Sequence, residues 1–323
     1  MSDQSLAGFR SAPDPSVTSA TRPATGAEFK STDRQAGWLV VNRWTYRPLR
    51  RMTSLFLPKL DTSGVQLSEE PSAGRGMRIV RPETITGEGA LFLIHGGGYV
   101  LGTSKEILPQ AVMLARRAGV SVFCPSYRLG PEDPFPAGLD DCHAGWQWLL
   151  ERAPELGIDP TKLVVGGYSA GGGLGAALVQ RLHDEGGQQP AAQLLVYPML
   201  DDRTAANTDL DRPRHRVWSN ANNRFGWTGY LGHAPGEASP PYAVPARRDD
   251  VRGLPPAWIG VGTPDVFLDE DRAYAERLEA AGVEVTYVEV DGAIHGFDGL
   301  GRDTPLVKAF KHSAASFVAR FTA

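Results

Sequence analysis

The chain has 323 residues, 41% of them hydrophobic and 22% charged, enough to bury one large core and ordinary for a soluble globular protein. A formal net charge of -4 with interspersed acids and bases argues against a nucleic-acid partner, which needs a basic face. No apolar run reaches the roughly eighteen residues of a membrane span. Cys124 and Cys142 make neither a disulfide framework nor a C-x-x-C pair, and the N-terminus lacks the apolar stretch of a secretion signal; the expectation is a cytoplasmic protein with two reduced thiols.

Residues 1–30 are rich in Ser, Thr, Ala and Pro and poor in large apolar groups, so a disordered tail is expected there. From Trp38 to Leu57 aromatic and aliphatic residues mix with arginines at helical spacing, which predicts amphipathic helices within 31–60 that need a partner surface. Arg43, Arg47, Arg50 and Arg51 read as a solvated helical face. Further on, ALFLI (90–94), VSVFC (120–124), KLVVGG (162–167), AQLLVY (192–197), PAWIGVG (256–262) and VEVTYVEV (283–290) predict strands buried on both faces. Helical patterns at 105–118, 137–152, 171–185, 269–281 and 305–321 alternate with them. This alternation predicts an α/β fold with a mostly parallel, doubly wound sheet. The rhythm breaks between Tyr197 and Pro256, a gap too long for a plain loop. Its aromatic residues predict a helical cap insertion at 201–233, leaving 61–200 and 234–323 as the core.

Gly167-Tyr168-Ser169-Ala170-Gly171 is a G-x-S-x-G between a predicted strand and a predicted helix. Such a turn holds a hydroxyl out where a base reaches it, and the helix start aims N–H groups at a developing oxyanion. Ser169 is therefore the candidate nucleophile. The run Gly171–Ala176 also fits G-x-G-x-x-A, but its first glycine falls too late after the strand to make the dinucleotide turn. His95-Gly96-Gly97-Gly98-Tyr99 follows the strand at 90–94, and its glycines leave backbone N–H groups free to approach a substrate oxygen. It is no phosphate loop, because Thr103 stands where a lysine belongs.

Of seven histidines, His143, His183 and His312 fall on helical patterns, His215 and His233 in the insertion, and His95 in the glycine loop as its brace. His295 follows the last strand at the edge where open α/β sheets place their sites, so it is the candidate base. Asp269, Glu270 and Asp271 read as helix-start carboxylates. Asp265 lies in the loop before them and is the preferred acid, with Asp269 second. The order Ser, Asp, His is that of α/β-hydrolases.

Taken with HGGGYVLG, YRLGPEDPFPAGLDD (127–141), GGYSAGGG (166–173), TPDVFLDED (263–271) and IHGF (294–297), the chain resembles the hormone-sensitive-lipase-like esterases of the α/β-hydrolase superfamily over residues 85–300. The resemblance implies an oxyanion hole from the N–H groups of Gly97, Gly98 and Ala170. It also implies a cap shared by the N-terminal helices and the insertion, and hydrolysis of short- or medium-chain esters without cofactor or metal. Two departures, Tyr168 for the usual Asp or Thr and Gly173 for the usual Asn, bear on the wall of the site and hence on substrate range. Tyr99, Tyr168, Trp218, Phe225 and Trp227 are candidate pocket residues. Lactone, carbamate or amide hydrolysis would use the same residues. A ligand receptor on an inactive scaffold would need a lost triad member, and none is lost. Self-association is left open.

Overall fold

The computed structural model of the chain describes residues 9–10, 12, 16–18, 25–30, 39–55, 60–211, 215–300 and 303–323. A nine-stranded sheet is built from β1 (Phe9–Arg10), β2 (Val65–Glu70), β3 (Met77–Pro82), β4 (Ala90–Ile94), β5 (Ser121–Pro125), β6 (Leu163–Tyr168), β7 (Ala192–Val196), β8 (Ala257–Gly262) and β9 (Val285–Val290). Their order across the sheet is β1-β9-β8-β7-β6-β4-β5-β3-β2. The strands β4 to β9 pair in parallel, while β1, β2 and β3 pair antiparallel at the two sides. Every residue of β4, β5, β6, β7 and β8 is buried, as continuous apolar runs demand when helices cover both faces.

The helices are α1 (Tyr46–Leu55), α2 (Leu108–Ala118), α3 (Ala137–Arg152), α4 (Ala170–Glu185), α5 (Asp202–Ala206), α6 (Asn220–Leu231), α7 (Leu268–Ala280) and α8 (Pro305–Thr322). Local chemistry sets their ends. Pro109 opens α2 and Gly119, at φ 70°, closes it; Thr304 caps α8 by accepting from the Val307 N–H, with Pro305 next in line. The chain steps from β4 outward to β5 and then back across β4 to β6. Connections therefore leave β4 and β6 in opposite directions, which opens a crevice at their C-terminal ends.

The strands and helices expected from 90 onward are present, shifted by a few residues at their ends. Besides β1, two strands were not expected. In β2 the middle residues face water, and in β3 arginines interrupt the apolar positions, so neither offers an apolar run. The disordered tail expected for 1–30 needs correction where the structure describes it. Phe9–Arg10 pairs with Glu289 and Val290, and Ala27–Phe29 forms a 3-10 turn whose Phe29 is buried edge-on against Phe297, centroids 5.6 Å apart. One aromatic anchor outweighs the polar composition around it. Trp38 and Leu57 lie outside the described residues.

Candidate active site

Ser169 stands between β6 and α4 with φ 56° and ψ -121°. For a residue with a side chain this backbone costs about 1–3 kcal/mol and persists only where the surroundings enforce it. They do so here: the Ser169 N–H donates to Val196 O at 2.9 Å, and Ser169 O accepts from the Met199 N–H at 3.0 Å. Gly171 lets α4 press onto the end of β4, since a Cβ there would stand 2.2 Å from Ile94 O and 2.4 Å from His95 O. The strained turn is thus wedged between β4 and β7.

His295 follows β9. Its Nδ1 lies 2.7 Å from Asp265 Oδ2 and its Nε2 lies 3.0 Å from Ser169 Oγ. With the proton on Nδ1, the ring donates to Asp265 and accepts from the serine hydroxyl. Asp265 is fixed in turn by the Phe267 N–H, which donates to Oδ1 at 3.1 Å. All three side chains are nearly dry, at 7%, 7% and 1% exposure for Ser169, His295 and Asp265. Asp269, by contrast, lies exposed in the first turn of α7. The imidazole is gripped edge-on by Tyr197 and Phe267, at 4.7 and 5.3 Å. The Tyr197 hydroxyl donates to Asp298 Oδ1 at 2.7 Å, and burial pushes the Asp298 carboxyl above its ordinary range.

The glycine turn lies beside the nucleophile: a Cβ on Gly96 would be 3.3 Å from Ser169 Cβ. Gly97, at φ 120°, has no room for a side chain, because its Cβ would fall 2.1 Å from Leu101 O. The N–H groups of Gly97 and Gly98 have no partner among the described residues, and Ala170 as first residue of α4 has none within its helix. His95 braces the turn. Its ring stacks on Tyr127 at 4.1 Å, its Nδ1 meets Gly96 O at 2.8 Å, and the Tyr127 hydroxyl donates to His95 O. Burial pushes this imidazole down to about 4.

The pocket candidates divide. Tyr99 and the wholly buried Trp227 are packing: Tyr99 stacks on Tyr230 at 4.1 Å, lies 5.0 Å from Trp227 and donates its hydroxyl to Met199 O. Trp218 lies directly on the glycine turn, with its ring where a Gly98 Cβ would be. Phe225 joins α6 to Tyr46 of α1, centroids 5.7 Å apart. Tyr168 is buried edge-on to Tyr197. The arginine face expected to be solvated needs correction at Arg50. Its Nε donates to Val100 O at 2.6 Å and its Nη1 to Glu132 Oε2 at 3.0 Å, while Nη2 reaches Gly130 O, so it clamps α1 to the segment that follows the glycine turn. Those partners lie 50 to 82 residues away, beyond the reach of any local pattern. Glu270, read as a helix-start carboxylate, is instead buried and accepts from the N–H groups of Leu200 and Asp201 at 2.7 and 3.1 Å, tying α7 to the insertion.

The model of the alpha/beta hydrolase fold family matches residues 91–299. The chain is an α/β-hydrolase. This hydrolase is 36% identical over 209 residues to carboxylesterase NlhH of Mycobacterium tuberculosis, a match covering 63% of the chain and 64% of that relative, somewhat under two thirds of its length. It is 35% identical over 226 residues to the ethyl acetate hydrolase of Pseudomonas putida, covering 66% and 67%. The solved structure of a bacterial heroin esterase superimposes with a TM-score of 0.82 at 31% identity, over 94% of this chain and 99% of that one. The resemblance to hormone-sensitive-lipase-like esterases read from the motifs falls within this family. Among the described residues no helix is long and apolar enough to cross a membrane, and no group of three or more His, Cys, Asp or Glu could hold a metal ion.

Proposed function

We propose that this α/β-hydrolase is a carboxylesterase that cleaves short- to medium-chain esters through an acyl-enzyme. The observation that carries the reading is the hydrogen-bonded chain from Ser169 Oγ through His295 to Asp265 on a strained strand-to-helix turn. Ser169 Oγ attacks the ester carbonyl while its proton passes to His295 Nε2. The N–H groups of Gly97, Gly98 and Ala170 receive the oxyanion. Collapse breaks the bond to the alcohol oxygen, which leaves with the proton from His295. A water then gives a proton to His295 and attacks the acyl carbonyl. The acid departs as Ser169 regains its hydrogen.

The relatives' names, carboxylesterase and ethyl acetate hydrolase, support the substrate class. Residues 31–60 and 201–233 form the cap in this reading, and the unpaired, buried Cys124 and Cys142 suit a reducing cytoplasm. The test is a phosphonate label on the whole chain, beside turnover of aryl esters, lactones and amides. One adduct at Ser169 with ester turnover is expected. Turnover that survives Ser169→Ala would reject the reading.

A further inference from the structure

The buried face of α6 carries Asn223, Gly226, Trp227 and Tyr230, the spacing of one helical face. Trp227 and Tyr230 close on Tyr99. Gly226 sits against the glycine turn, since a Cβ there would stand 2.5 Å from Gly98 O. Asn223 lies about one turn nearer the helix start, on the face that covers this turn. It is 0% exposed, yet among the described residues neither its Nδ2 nor its Oδ1 has a hydrogen-bond partner. Trp218, whose ring lies on Gly98, also has a buried Nε1 with no partner among the described residues.

Among the described residues only Asn223 and Asp271 leave two buried side-chain polar atoms without a partner. Asp271 is a carboxyl in the first turn of α7 that burial pushes well above its usual range. Native chains rarely leave a buried carboxamide unpaired unless a ligand or water completes it. The Trp218 ring and Gly226, one turn from Asn223 on α6, both lie on Gly98, a candidate oxyanion donor. In the esterase reading the alcohol oxygen faces His295 and the carbonyl oxygen faces the glycine turn, and the acyl part is placed toward α6 as a step of the proposal that follows.

We propose that Asn223 is a specificity-determining residue whose carboxamide pairs with an amide in the acyl part of the substrate, with Trp218 Nε1 as a further donor. An amide both accepts from Nδ2 and donates to Oδ1, which satisfies the two orphaned atoms together. The favoured class is then esters of N-acylated amino acids. This inference rests on the esterase reading and deepens it.

The experiment compares ethyl N-acetylglycinate with ethyl 4-methylpentanoate, which has the same branching without the amide. The ratio of their kcat/KM values is measured for the full chain and for Asn223→Leu, which cancels the intrinsic reactivity of each ester. The ratio is expected to fall about tenfold in the variant, as sites built to bond a polar group discriminate against losing it. The Tm of the free variant is expected to hold or rise, because an unpaired amide leaves a dry interior. An unchanged ratio overturns the proposal, and so does a variant that melts lower or fails to fold, since Asn223 would then be bonded within the free protein. Phosphonate labelling of Ser169 in the same samples separates the two claims. Label with an unchanged ratio removes this inference alone, and no label in the unaltered chain removes the esterase reading.

Discussion

At the scale of single residues, Ser169 shows how backbone and side chain serve one task. Its positive φ turns the hydroxyl out of the helix, and Gly167 and Gly171 make room for that turn. Ser169→Ala and His295→Ala are each expected to lower kcat on an aryl acetate by on the order of 10⁴ to 10⁶. Asp265→Asn should also cost orders of magnitude with little change in Tm, whereas Asp269→Asn should leave kcat near that of the parent. The reverse pattern would transfer the acid's role to Asp269. His95 links the site to pH. The unfolded chain protonates it near 6.5 and the folded chain only near 4. Between those values the unfolded state binds the extra proton, so the contribution is whole above about 6.5 and is lost as pH falls toward 4, on the order of 3 kcal/mol. Thermal melts of the parent and His95→Gln are expected to converge over that interval, and parallel curves would refute the assignment. Ser169, His295 and Asp265 were legible in the sequence because each follows a strand whose apolar run marks the edge of the sheet. Arg50 and Asn223 were not. The first acts on carbonyls remote in sequence, and the second is defined by partners it lacks.

At the scale of elements, the segments above the sheet do more than cover it. Arg50 bonds α1 to Val100, and Gly226 seats α6 on Gly98, so both helices hold the glycine turn from outside. Arg50→Ala and Gly226→Ala are therefore expected to lower kcat severalfold or more even on an acetate too small to touch a roof. For Arg50 the lost charged hydrogen bonds are worth roughly 1.5–3 kcal/mol each. An effect confined to KM for long acyl chains would show that the helices only limit space. Strands β4 to β8 could be read from composition because burial on both faces leaves them nearly continuous apolar runs, broken only by Ser121 and Gln193. The flanking β2 and β3 alternate between packing and water, and their sequences carry the exposed half as plainly as the buried one.

At the scale of the whole molecule, the cap of the proposed reading would roof the site and so bound the substrate. Each methylene that finds a place adds about 0.8 kcal/mol of burial, so rates on p-nitrophenyl esters should climb from acetate, peak by hexanoate and be small for palmitate. Fastest turnover of palmitate would mean that the roof opens. The N-terminal segment belongs to the folded body where it is described, through Phe29 on Phe297 two residues beyond His295. Its first strand has a further effect. A sheet this wide ends in two open margins, and unpaired N–H and C=O groups there invite another chain to add itself. On one side β2 discourages such a guest with Glu69 and Glu70. On the other, β9 reads VTYVEV, the kind of β-branched stretch that pairs readily, and Phe9–Arg10 is laid along its far end at Glu289 and Val290. A chain shortened by its first 30 residues is expected to melt lower and also to grow in light-scattering mass with concentration, strand joining strand along β9. A truncated chain that keeps the parent's Tm and stays at constant mass would show that this margin needs no guard.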